Sequence, residues 1–172
     1  MSLRTGLMVR QGSCQGEEVL EAFVLELQAE GVRVGGVFQR TVGATCARKR
    51  MTLVDALSGA EIPISQDLGS GSNSCVLDGD GLASAAVAVQ RAMRQGIDLL
   101  VFNKFSSREC DGKGLAPEMF NAMADGVPVL TTIAERYVTR WQEMSGGLGS
   151  LLPAELPALR AWWERARSLE IA

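Results

Sequence analysis

Leu99-Leu100-Val101-Phe102 is a short unbroken apolar run directly after the turn signal Gly96-Ile97-Asp98. Four apolar residues without alternation fit a strand covered on both faces, as in a parallel sheet, rather than a strand with one wet face. Parallel neighbours need crossover connections, so the run commits the chain to alternating strands and helices. It stops abruptly at Asn103-Lys104. Ligands of open α/β sheets sit outside the carboxyl ends of the strands, which makes Asn103, Lys104 and the loop to Gly114 the first place to look for function. The competing reading is a solvated crossover loop.

The rest of the chain supplies the partners that such a strand requires. Thr5-Gly6-Leu7-Met8-Val9 reads as a first strand, followed by the polar loop from Arg10 to Gly16. From Glu17 onward Val19, Leu20, Phe23, Val24 and Leu27 recur with helical spacing, Glu17, Glu18 and Glu21 load the first turns with the charge that the dipole favours, and Gly31 closes the helix. Val32 to Arg40 is the second strand, its pair Gly35-Gly36 allowing a bulge or a close backbone approach. Thr41 to Arg50 is irregular, and Arg48-Lys49-Arg50 reads as solvated decoration or as a local basic site. Met51–Asp55 and Glu61–Ser65 alternate about Ala56 to Ala60, an edge β-hairpin. Gly69 to Ser74 reads as a loop.

Leu82, Ala85, Ala86, Val89 and Met93 stripe a helix that ends at Gly96 and feeds the 99–102 strand. Pro117 suits the first turn of a helix burying Met119, Phe120 and Met123 up to Gly126, and Val127 to Ile133 is another buried strand. Glu135 to Met144 is helical, Gly146 to Ser150 a turn, and Pro157 to Ser168 a last helix presenting Leu159, Trp162, Trp163 and Ala166. That tryptophan pair reads as packing, with docking of a second subunit as the alternative. The predicted architecture is α/β: one three-layer α/β/α domain over residues 1–172, with a mainly parallel sheet, an edge hairpin and helices on both faces.

Composition narrows the function. At 172 residues with 47 % hydrophobic and 22 % charged the chain can bury a sizeable core, and its net charge of -3 argues against a general nucleic-acid or anionic-membrane binder. There is no histidine, which removes Ser-His-Asp and Cys-His catalysis and leaves Cys, Asp and Glu as the strong metal ligands. No apolar run approaches the roughly 20 residues of a membrane span. Cys14, Cys46, Cys75 and Cys110 form no C-x-x-C pair, and nothing like a secretory leader opens the chain, so the expectation is reduced thiols in a cytoplasm. Cys14 and Cys110 lie in loops at the same mouth, as plain thiols or as a redox or metal pair.

Strand, glycine-bearing loop and helix over residues 5–30 have the layout of a phosphate-binding loop. The working pattern is G-x-x-x-x-G-K-[ST]. Gly12-Ser13-Cys14-Gln15-Gly16 is one residue short between glycines, and Glu17-Glu18 stand where Lys and Ser/Thr belong. Carboxylates there repel the phosphates of a nucleotide, leaving backbone N–H groups and the helix dipole as the attraction.

Gly31 to Arg40, the hairpin with Leu57-Ser58-Gly59, Asp98 to Val101, and Gly126-Val127-Pro128-Val129-Leu130-Thr131 resemble in order the P-loop nucleoside-triphosphatase and nucleotide-kinase-like proteins first described from thermophiles. More closely, residues 3–165 are similar to a bacterial family known only as a domain of unknown function, whose members often lie beside molybdate-uptake genes. The resemblance implies a P-loop NTPase-like fold and a middle strand that, in the active triphosphatases, ends in an Asp that holds magnesium through water and a Glu that positions the attacking water. Asn103 and Lys104 occupy those places here. With the loop lysine also absent, three parts of phosphoryl-transfer chemistry are missing together, and the P-loop reads as degenerate.

What remains is a site inverted from cation-holding to anion-holding. Lys104, Arg108 and Lys113, with Asn103 and the N–H groups of Gly12, Ser13, Cys14, Gln15 and Gly16, are the candidate anion-binding residues. Molybdate, tungstate, sulfate and phosphate all qualify as ligands, and so does a nucleotide; the preference for molybdate comes from the gene company of the family. Against the site, Lys104 has Glu17 and Glu18 as alternative partners in a structural ion-pair cluster. Three functions stay open: a non-hydrolytic binding or regulatory protein, a weak triphosphatase or nucleotide-kinase-like enzyme, and an interaction scaffold without ligand. A homo-oligomer or a protein partner fits each of them.

Overall fold

Seven strands form one sheet among the residues that the computed structural model describes, 3–11, 16–42, 50–63 and 79–169. In chain order the elements are β1 (Thr5–Arg10), α1 (Glu17–Ala29), β2 (Val34–Val42), β3 (Arg50–Asp55), β4 (Glu61–Pro63), α2 (Gly79–Gln95), β5 (Leu99–Phe105), α3 (Ser107–Cys110), α4 (Ala116–Ala124), β6 (Val129–Ala134), a 3-10 turn (Glu135–Tyr137), α5 (Val138–Ser145), β7 (Ser150–Pro153) and α6 (Leu156–Ser168). The strand order is β4-β3-β2-β5-β6-β1-β7. All pairs from β2 to β7 are parallel, while β3 and β4 add antiparallel strands at one edge. The sheet is therefore α/β and mostly parallel, with the expected edge hairpin.

Alternation along β1 sends neighbours to opposite faces: Met8 joins the core beneath α1 and α6, while Leu7 joins the core beneath α2, α4 and α5. On the first face Leu20, Phe23, Val24 and Leu27 of α1 meet Leu159, Trp162, Trp163 and Ala166 of α6, each large side chain contributing about 1.5–3 kcal/mol by leaving water. Both tryptophans are buried, so the packing reading of that pair holds. On the second face Trp141 of α5 lies edge-on to Phe105 at 5.1 Å and stacked with Phe120 at 5.4 Å, its Nε1–H donating to the Leu148 carbonyl at 2.7 Å.

Glycines set the closest approaches. A Cβ at Gly35 would stand 2.6 Å from the Ala92 Cβ, which lets α2 settle on β2. Gly36 has φ +97°, and a Cβ there would collide with the Val101 carbonyl of β5. The pair serves close approach of backbones, one of the two uses expected for it.

Local signals misplaced several boundaries. β5 does not stop at Phe102 but runs to Phe105, because Phe105 also reaches the core. Four residues of the expected loop after it, Ser107–Cys110, form a helical turn, and β2 continues to Val42, into the stretch read as irregular. The turn at Gly146 leads into β7, a strand the periodicity did not reveal: with four residues and only Leu152 buried, its apolar signal is too short to read. Gly12, Ser13, Cys14, Gln15, Cys46, Arg48, Lys49, Cys75 and the 69–74 stretch lie outside the described residues.

Candidate functional site

The carboxyl ends of β1, β5, β6 and β7 meet at one end of the sheet, beside the first turn of α1. Gly16 opens that helix with φ +113°, its carbonyl accepting the Leu20 N–H at 2.8 Å. A Cβ at Gly16 would stand 3.1 Å from Met8 Cε and 3.3 Å from Arg10 Cγ, so the glycine lets the helix start directly over the end of β1. Glu17 follows, buried at 6 % exposure, whereas Glu18 faces out.

β5 carries the second part. Phe102 pairs with Thr131 and Phe105 with Ile133, so Asn103 and Lys104 together stand opposite the single residue Thr132. That is a β-bulge, a device that re-aims side chains where a strand ends; the peptide joining the two residues is cis. Asn103 is buried, and its Oδ1 accepts the Thr132 hydroxyl at 2.8 Å while its Nδ2 donates to Gln39 Oε1 at 3.3 Å. Its amide thus ties β2, β5 and β6 together. Lys104 is half-buried at the bulge.

The other two predicted cations sit on a separate small scaffold. Glu109, buried, accepts through Oε2 from the Ser106 N–H at 3.0 Å and the Ser106 hydroxyl at 2.8 Å, and through Oε1 from the Leu115 N–H at 3.2 Å. Arg108 and Lys113 flank this knot, joined through the Lys113 N–H on the Arg108 carbonyl at 2.9 Å, with both side chains exposed. Asn103 and Lys104 are therefore neighbours in one bulge, Arg108 and Lys113 neighbours in one turn, and Gly16 belongs to α1. Cys110, in the same turn, is partly buried, and burial pushes its thiol pKa up, away from the reactive thiolate.

Two groups at this end were not anticipated. Arg10, assigned from sequence to the polar loop, is the last residue of β1, and its Nε is shut off from solvent without a hydrogen-bond partner among the described residues. Burial lowers its pKa, the Glu17 carboxylate opposes that, and the Arg136 guanidinium adds to it. Arg136 itself lies over the Tyr137 ring at 4.9 Å. A charge closing an apolar strand was the available signal for Arg10; nothing local marks Arg136, which only the register of β1 with β6 brings near. Beside Arg10, a cavity of about 330 Å³ is lined by Val9, Gln11 and residues 151–155, and more polar than apolar surface faces it.

A mostly parallel sheet with a glycine-opened helix rising from the carboxyl end of an inner strand defines a P-loop NTPase-like α/β fold. A human cancer-related nucleoside triphosphatase, known from a solution structure, superposes with a TM-score of 0.70 over 95 % of this chain and 99 % of its own at 15 % identity, a likeness of fold. The chain belongs to the family described as "Protein of unknown function (DUF2478)", which it matches over residues 7–162. A protein of Bradyrhizobium diazoefficiens named as molybdenum import ATP-binding protein ModC 2 is 42 % identical over 154 residues, which are 88 % of this chain and 17 % of that protein. The chain thus spans less than a fifth of the length of that relative.

Proposed function

We propose that this chain is a non-hydrolytic binding or regulatory domain that holds a small oxyanion, molybdate foremost, between the degenerate loop at residues 12–16 and the end of β5. The observation that carries the reading is the bulge: it engages Asn103 as a neutral amide on both sides and sets a lysine beside it. Two acids at these places, as the resemblance to active triphosphatases implies for them, would hold a cation; an amide engaged within the protein removes one of those charges, and the ammonium beside it favours an anion. Arg108 and Lys113 extend the positive field on the exposed side. The choice of molybdate and of a regulatory role rests on the relative named for molybdenum import, within which the matching segment is a minor part. A domain of that kind would report the imported anion to a transport ATPase.

Thermal melting with molybdate, tungstate, sulfate, phosphate and ATP tests this directly. At about 100 times its dissociation constant a bound anion stabilises the fold by about 2.7 kcal/mol. Lys104→Ala is expected to remove most of that gain while the unliganded protein keeps its fold, because the side chain is half-exposed. No shift with any anion, or an equal shift in the variant, overturns the reading.

A nucleotide is the second reading, favoured by the relative that is named as an ATP-binding protein. Phosphate release from ATP and GTP, with and without magnesium, separates holding from hydrolysis. Magnesium-dependent turnover near about 1 per second would make the chain an enzyme.

A further inference from the structure

We propose that Arg10 and Arg136 form a two-guanidinium cradle for a tetrahedral oxyanion at the carboxyl end of β1, a site that rests on the reading of this end as anion-binding but uses neither of its lysines. Arg10 carries the first argument. Its Nε–H is buried without an acceptor among the described residues, and a buried donor left unpaired in a native fold calls for a physical reason. A ligand oxygen placed at this donor would satisfy it.

The aliphatic stem of Arg10 runs past the start of α1: its Cγ and Cδ lie 3.3 and 3.5 Å from where a Gly16 Cβ would be, so the glycine leaves the stem its room. Arg136 arrives through the sheet: Arg10 pairs with Ala134 of β6, and Arg136 follows two residues later, stacked on Tyr137. Arg136 and Glu17 are the charged groups that act on Arg10. The Glu17 carboxylate and the Arg136 guanidinium thus act on Arg10 with opposite sign, and Glu155 lines the adjoining cavity. Planar forks of N–H donors match the oxygens of a tetrahedral dianion better than an ammonium does.

Titration calorimetry at low salt with sodium molybdate, sodium sulfate and sodium phosphate, on wild type, Arg10→Met, Arg136→Gln and Lys104→Ala, tests the cradle. Arg10→Met keeps the aliphatic stem under Gly16 and removes only the donors. Each arginine variant is expected to weaken the anion that binds best by about tenfold or more, the worth of a charge-assisted hydrogen bond. If the wild type binds and Lys104→Ala weakens it while either folded arginine variant stays within about threefold of wild type, the cradle is wrong and the oxyanion reading survives. If the wild type binds none of the three anions, the oxyanion reading fails and the cradle with it. Should Arg10→Met not fold, Arg136→Gln decides alone, since its side chain is exposed: loss beyond about threefold supports the cradle and anything less overturns it.

Discussion

At the scale of single residues, the end of β5 is governed by hydrogen-bond satisfaction. Asn103 is tolerable in the core because Thr132 and Gln39 complete its amide. Thr132→Val keeps the shape and removes the donor, leaving a buried carbonyl oxygen unpaired, at a cost of about 1–3 kcal/mol. Urea unfolding is expected to show a lower midpoint with an unchanged slope; a loss below about 0.5 kcal/mol would mean that the bond contributes little. Gly36 offers a comparison of two penalties. Gly59→Ala has a positive φ and open space, and is expected to cost about 1–2 kcal/mol for the left-handed backbone alone. Gly36→Ala adds a collision with the Val101 carbonyl, so its loss in thermal stability should clearly exceed that of Gly59→Ala. Equal losses would show that β2 and β5 can spread without cost.

At the scale of elements, the segment from Ser106 to Leu115 depends on one carboxylate. Glu109 accepts three hydrogen bonds, and α3 is too short to persist by helix propensity. Glu109→Gln turns one acceptor oxygen into a donor facing N–H or O–H groups, and is expected to cost about 1–3 kcal/mol. Amide exchange should quicken over residues 106–115 while β1 and β6 keep their protection. Uniform quickening would instead make the turn part of the global unfolding unit. Sequence reading saw this stretch as a loop with two cations, since a Glu among polar neighbours looks solvated until its three partners fold around it.

At the scale of the molecule, the two cores are not closed by the inner strands alone. β7 and α6 cover β1 and deliver Leu152, Leu159, Trp162 and Trp163 to the α1 face. A chain ended after Gly149 leaves Phe23 and Leu27 against water and β1 as a bare edge, so it is expected to lose its cooperative thermal transition by circular dichroism. A sharp transition near that of the full chain would refute the closure argument.

Periodicity sufficed for most helices and inner strands, because a buried stripe such as Leu20, Phe23, Val24 and Leu27 has no other stable disposition than against a core. It also drew attention to Asn103 and Lys104 as polar residues after an apolar run, although β5 continues past them to Phe105. The amino-acid order alone thus determined an α/β chain with a mostly parallel sheet. Only the tertiary structure decided that β7 exists, that Thr132 and Gln39 occupy the Asn103 amide, and that Arg10 meets Glu17 and Arg136. These depend on strand register, which makes neighbours of residues 29 and 64 positions apart at Asn103 and more than a hundred apart between β1 and β6, and no local pattern of hydrophobicity encodes the choice of neighbour.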